Sequence, residues 1–193
     1  MNRFKLAMIG SHGVGKTTLC YGIAARLKAL DLPVEVVHEV ARRCPLPINQ
    51  ETSVDAQAWI LHTQIAEEVA ASHRYSVVVC DRSVLDNYTY LLLAAGRHEI
   101  LGPLVDAWLT SYDLLVHVPI VDRLRSDGIR SPDPTFRQAV EERLQQELAR
   151  RKLPLLRLDS ARREGWVDAV ETAVRERLKP AQLELLEPTS DMI

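Results

Sequence analysis

Four groups of residues in this chain have types and spacings suited to chemistry, and the first is Gly10-Ser11-His12-Gly13-Val14-Gly15-Lys16-Thr17. It fits G-x-x-x-x-G-K-[ST], a loop whose backbone N–H groups turn inward on phosphate oxygens. The glycines permit turns that a side chain would block. Lys16 is placed to reach terminal phosphates, and the Thr17 hydroxyl to hold Mg²⁺. Thr18 extends the binding stretch, while His12 reads as a variable loop position without a role of its own. The second group is Glu39, followed by Arg42 and Arg43. A carboxylate there suits a general base for an attacking hydroxyl. The third is Asp81-Arg82: the acid suits a second metal contact, and the guanidinium bidentate donation to phosphate. The fourth is Arg123 to Ser131, which holds Arg123, Arg125 and Arg130 around Gly128. Such a segment can close and stabilise charge on a transferring phosphoryl group. Arg137, just beyond it, adds another cation.

These residues need elements to hold them. Phe4 to Ile9 is a short apolar run and reads as a buried strand. Leu19, Ile23, Leu27 and Leu30 follow at helical spacing, so the glycine loop links strand to helix. The helix runs from Lys16 to about Ala29, where Asp31-Leu32-Pro33 closes it. Val34 to Val37 is a second strand, with Glu39 just past its end. A loop with Pro45 and Pro47 follows. Ser53 caps a helix that runs to about Ser72, with Trp59, Thr63, Ala66 and Ala70 on one stripe. On that helix Gln64 could read a ring edge through paired hydrogen bonds. Val77 to Cys80 is a third strand, apolar throughout as a sheet covered on both faces requires. Helices are expected at Val84–Ala95 and Ile100–Thr110, a fourth strand at Asp113–Val118, and a helix from Thr135 with Phe136, Val140, Leu144 and Leu148 in register. A fifth strand at Pro154–Leu158 and a helix at Gly165–Leu178 complete the series.

Strands alternating with helices give an α/β fold with a parallel sheet, in which ligands bind at the carboxyl ends of the strands. That rule draws the glycine loop, Glu39, Asp81-Arg82 and the Asp159 to Arg163 loop to one crevice. The 193 residues suit a single domain, with a lid at about 120–134 and a tail at 180–193. A net charge of −2 gives no basic field for nucleic acid or anionic membrane. The three cysteines, Cys20, Cys44 and Cys80, lie far apart and suggest no disulfide framework, so a cytoplasmic setting is expected. No apolar run is long enough to span a bilayer.

In this order the motifs resemble the nucleoside and nucleotide kinase group of P-loop proteins. Within it the chain most resembles the nicotinamide-riboside-kinase-like ATPase family, associated with the kinase domain of the bifunctional NAD-biosynthesis regulator. The stretches that carry the resemblance are Gly10 to Thr18, Glu39-Val40-Ala41-Arg42, Leu61-His62-Thr63-Gln64, Asp81 to Tyr90 and Asp127-Gly128-Ile129-Arg130-Ser131. It implies ATP and Mg²⁺ as cofactors and a three-layer P-loop fold with five parallel strands ordered 2-3-1-4-5. It also implies adenine between the lid and the Asp159 to Arg163 loop, with Arg162 beside it, and carries the base to Glu39 and contact with the reacting groups to Arg82. Asp81-Arg82-Ser83 stands where that branch has Asp-Thr-Asp, which argues against nicotinamide riboside itself. The expected activity is transfer of the γ-phosphate of ATP to a hydroxyl of a small nucleoside-like substrate, bound by Glu39, Arg42, Gln64 and Arg82. Lys16, Glu39, Arg82 and Arg130 would be catalytic. The alternatives are a nucleoside monophosphate acceptor, a nucleotide-dependent switch without small acceptor, and phosphorylation of nucleic-acid ends. Oligomerisation is possible.

Overall fold

The computed structural model describes residues 3–121 and 133–178. Five strands form one parallel sheet in the order β2-β3-β1-β4-β5. They are β1 (Phe4–Ile9), β2 (Val34–Val37), β3 (Val77–Asp81), β4 (Leu114–His117) and β5 (Leu155–Arg157). Six helices connect and cover them: α1 (Lys16–Lys28), α2 (Val54–Arg74), α3 (Val84–Ala95), α4 (Leu101–Leu109), α5 (Pro134–Arg151) and α6 (Trp166–Arg177). The expected fold class and strand order are therefore present. The expected lid, with Arg123, Arg125 and Arg130, lies outside the described residues, as does the tail from residue 179 onward.

Alternation along the strands explains why their sequences are apolar throughout. Leu6, Met8, Val77, Val79, Leu114 and Val116 face α1 and α6, where Leu19, Ile23, Leu27, Trp166, Val170 and Val174 meet them. Ala7, Ile9, Val78, Cys80 and Leu115 face the other way, against Leu61, Leu85, Tyr88, Leu91, Leu144 and Leu148. The three central strands, β1, β3 and β4, are thus buried on both sides, while the edge strands β2 and β5 are partly exposed; a buried Val or Leu contributes roughly 1.5–3 kcal/mol.

Most element bounds fall within a residue or two of expectation, but the inward face of α2 does not follow its apolar stripe. Ala66 and Ala70 are exposed, whereas Gln57, Gln64 and Glu68 are buried with Ala56, Ile60 and Leu61. Glu68 explains the inversion. Its carboxylate accepts from Lys5 Nζ at 2.8 Å, Trp108 Nε1 at 2.7 Å, Tyr112 Oη at 2.6 Å and Gln64 Nε2 at 2.8 Å. A fully satisfied buried carboxylate can replace an apolar contact.

The sheet register positions the chemistry. Met8 pairs with Asp81 and Ile9 with His117, so the ends of β3 and β4 flank the start of the glycine loop.

Candidate functional site

The glycine loop follows β1 directly, and its backbone is one that only glycine tolerates at key points. Gly10 has φ 147°, and a Cβ there would lie 2.5 Å from the Val118 carbonyl oxygen. Gly15 caps α1 at φ 97°. Helices α2, α3 and α5 begin with side-chain caps from Ser53, Ser83 and Asp133. Helix α1 has no side-chain cap and no acid in its first turn. Its first N–H groups and the positive end of its dipole are thus available to an anion. Lys16 stands over the same loop, donating to the Gly10 and Ser11 carbonyls at 2.7 Å each. Burial, and then the charge of Arg82, lowers its pKa from 10.5 to about 8.

Thr17 Oγ1 donates to Asp81 Oδ2 at 2.5 Å. A hydroxyl and a carboxylate side by side at the phosphate loop are the hard oxygen donors Mg²⁺ prefers. The residues present fit that ion. They likewise fit a nucleotide polyphosphate, through the loop amides and Lys16.

Glu39 and Arg82 meet across 43 residues of sequence. Arg82 Nε donates to Glu39 Oε1 at 2.7 Å, and Arg42 Nε to Glu39 Oε2 at 2.8 Å. Glu39 is 7% exposed and Arg82 4%. Burial opposes the Arg82 charge, but the Glu39 carboxylate more than offsets it and holds the guanidinium pKa above its ordinary value. Arg82 also has φ 100°, a left-handed backbone that non-glycine residues adopt at a cost of about 1–2 kcal/mol. Its guanidinium lies 5.4 Å from the centre of the Tyr90 ring.

Beside this pair is a pocket lined by Glu39, Ala41, Arg42, Ile48, Gln57, Arg82, Asn87 and Tyr90. Three polar atoms on its lining residues are buried without a partner: Arg82 Nη1, Gln57 Oε1 and Asn87 Nδ2. Its open volume is about 20 Å³, room for one water. A larger cleft of about 490 Å³ runs along the outer side of β2 and α2. It shares Glu39 and Arg42 but does not include Arg82; the smaller pocket meets the glycine loop through Tyr90, whose Oη lies 3.2 Å from His12 Nδ1.

Several sequence expectations change here. Gln64 does not reach the pocket: it is fully buried, and its amide donates to Glu68 at 2.8 Å and to the Arg82 carbonyl at 3.4 Å. Gln57, two turns earlier, lines the pocket instead. Arg162 is 83% exposed and 3.8 Å from Asp159, whereas its neighbour Arg163 approaches the loop, 3.3 Å from where a Gly15 Cβ would lie. His12 is not a bystander. It is 1% exposed, with Nδ1 at 3.2 Å from Tyr90 Oη. Helix α5 also reaches the loop: Glu141 accepts from the Ser11 N–H at 3.2 Å, and Arg137 donates to the Gly13 carbonyl at 3.4 Å. Nothing in the spacing marked Gln57, Asn87, Tyr90 or Glu141. A polar residue on a buried helix face was the available signal.

Fold and loop together define a P-loop α/β protein. Residues 5–165 match the model of an AAA domain family, and the chain belongs to that family. Among solved structures it is similar to deoxyadenosine kinase from M. mycoides with bound dATP, at a TM-score of 0.64 and 14% identity, over 90% of this chain and 100% of that one. It is similar also to the same enzyme with the products dCMP and a flexible dCDP bound, at a TM-score of 0.62 and 13% identity, over 90% of this chain and 99% of that one. At such identities the likeness establishes the fold alone. No curated protein matches the chain. Among the described residues no helix is long and apolar enough to cross a membrane.

Proposed function

We propose that the protein transfers the γ-phosphate of ATP to a hydroxyl of a small, neutral, nucleoside-like acceptor. The observation that carries this reading is the pocket beside Glu39. Three buried polar atoms without partners, on residues lining one pocket whose Tyr90 is hydrogen-bonded to His12 of the phosphate loop, call for a polar ligand. A switch that acts on no small molecule has no use for them.

In this reading the loop from Gly10 to Thr18 and Lys16 grip the phosphates. Thr17 and Asp81 would hold Mg²⁺, which supplies neutralisation of charge on the phosphate oxygens. Glu39 takes the proton of the acceptor hydroxyl. Arg82 aims Nη1 at the oxygen that attacks while its Nε steadies Glu39. Gln57 and Asn87 orient the acceptor, offering one acceptor oxygen and one N–H donor. Arg163 lies toward the nucleotide side, and Arg125 and Arg130 lie outside the described residues. Positioning and charge stabilisation are the main work of phosphoryl transfer.

The contacts already made favour a hydroxyl over a monophosphate as acceptor. Arg42 and Arg82 both already face the Glu39 carboxylate. The other unpartnered groups are neutral amides. The deoxyadenosine kinase likeness agrees with a nucleoside but does not choose one.

The test is a panel of nucleosides, nucleotides and sugars scored by ADP release, with the product identified by mass. One nucleoside-like compound should accelerate ADP release and gain a phosphate. Glu39→Gln should lower kcat about 100-fold or more and shift KM far less. ATP turnover that no compound accelerates would overturn the reading, and a monophosphate accepted with full activity in Glu39→Gln would replace it with the rival one.

A further inference from the structure

Asp86 lies in the first turn of α3, within the stretch Asp81 to Tyr90 but given no role so far, and is 2% exposed. Its carboxylate does two things at once. Oδ1 accepts the N–H of Gly10, the first residue of the glycine loop, at 3.0 Å. Oδ2 accepts the N–H and the hydroxyl of Ser83, each at 2.9 Å. Ser83 is the residue that follows the left-handed turn at Arg82. One buried carboxylate therefore spans from the entry of the phosphate loop to the exit of β3.

These bonds exceed what capping requires. A capping box is complete with the Ser83 hydroxyl on the first α3 amides and one carboxylate oxygen returning to the Ser83 N–H. The bond to Gly10, 76 residues away, adds nothing to the helix. It ties two pieces that would otherwise move separately, the loop that grips the donor phosphate and the turn that presents Arg82 to Glu39. The charge of Asp86 also acts on both cations of the site, Lys16 and Arg82.

We propose that Asp86 is a positioning residue that fixes the phosphate loop against the Arg82–Glu39 pair. This rests on the kinase reading, because it assigns the distance so fixed to the gap between donor phosphate and acceptor hydroxyl. Misplacement of reacting groups by about 1 Å costs on the order of 100-fold in rate. Asp86 acts through Gly10 and Ser83 and touches neither substrate.

Asp86→Asn and Ser83→Ala separate positioning from capping. Both weaken the α3 cap and should lower Tm by similar amounts. Ser83→Ala keeps the Asp86–Gly10 bond, so its kcat and its affinity for ADP with Mg²⁺ should stay within about threefold of the parent. Asp86→Asn leaves one acceptor oxygen for two N–H donors, so either Gly10 or Ser83 faces an amide N–H and the tie between them is broken; it should lose about 100-fold in kcat and about tenfold in ADP affinity. The KM for the acceptor should stay within about threefold, so that the loss falls on kcat. If Asp86→Asn does not fold, Asp86→Glu keeps the charge and lengthens the arm, and it should likewise lose kcat. Equal losses of Tm with full kcat and full ADP affinity in Asp86→Asn would overturn the proposal, as would full kcat in Asp86→Glu. The ADP readout needs no acceptor. A wild type that binds ADP but phosphorylates nothing sinks the kinase reading, while the ADP affinity of Asp86→Asn against that of Ser83→Ala still decides whether Asp86 sets the loop.

Discussion

Lys16 should make the fold less stable while it makes the site work, and pH separates the two effects. Its ammonium is 5% exposed, and its pKa falls from 10.5 to about 8. At 1.36 kcal/mol per unit, the buried charge costs about 3 kcal/mol. Below pH 8 both folded and unfolded chains carry the proton, and the folded chain bears the whole cost. Between pH 8 and 10.5 the folded chain releases its proton first. The unfolded chain then binds more protons, so the contribution of Lys16 to stability rises with pH. Above 10.5 both are neutral and the cost is gone. Lys16→Met removes the titration but also its bonds to the Gly10 and Ser11 carbonyls, a loss that does not depend on pH. The quantity to follow is therefore the stability of wild type minus that of Lys16→Met, from urea unfolding without nucleotide at pH 7, 8.5 and 10. It should move in favour of wild type by about 2.5 kcal/mol across that range, the rest of the cost being recovered above pH 10. ADP affinity of the wild type should move the opposite way, falling above pH 8 as the ammonium is lost. A difference that stays flat to within about 0.5 kcal/mol would refute the account of Lys16 as a buried cation held against its own solvation.

Gly10→Ala should abolish ADP binding and lower Tm, because the new Cβ meets the Val118 carbonyl at 2.5 Å on a backbone of φ 147°; calorimetry with ADP checks it. Glu68→Ala should cost about 3–5 kcal/mol in urea unfolding, since it strands the Lys5 ammonium and the Trp108 and Tyr112 donors away from water. Glu141 is opposed by burial, but the hydrogen bond and charge of His117 bring its pKa from 4.5 to about 2. Its stabilising contribution is complete above pH 4.5 and lost as pH falls toward 2, so Glu141→Gln should flatten that part of the acid-unfolding profile. Ser53→Ala should cost about 1 kcal/mol by leaving the Ala56 N–H unpaired at the start of α2.

What the sequence made legible followed local rules. The glycine loop has a fixed spacing because phosphate has a fixed size, and the strands are apolar because both faces are covered. The strand order is not a local property, and only the family resemblance supplied it. Helix α2 misled because its buried face is built from Gln57, Gln64 and Glu68, whose partners come from β1, β3, α4 and neighbouring turns. Periodicity scores such residues as surface. Gln64 drew attention as a ring reader because its amide is versatile, yet Glu68, four residues on, already holds it. Arg162 and Arg163 are indistinguishable by type, and only the turn after β5 decides which faces the loop. The left-handed turn at Arg82 leaves no mark in the sequence, since the residue there is not glycine.

The pocket beside Glu39 has a kinetic consequence. With about 20 Å³ open, it admits a nucleoside-sized molecule only when its walls part. In the proposed reading the walls that part are the turns around Ala41, Arg42 and Ile48, because Asn87 and Tyr90 stand on α3 and Arg82 in the buried turn before it. Arrival of the acceptor is then gated by the fraction of time those turns stand open. The apparent affinity is the affinity of the open form multiplied by that fraction. If the kinase reading holds, residues of the proline-rich turn that touch no ligand would tune how quickly the pocket fills, while the chemistry stays the same.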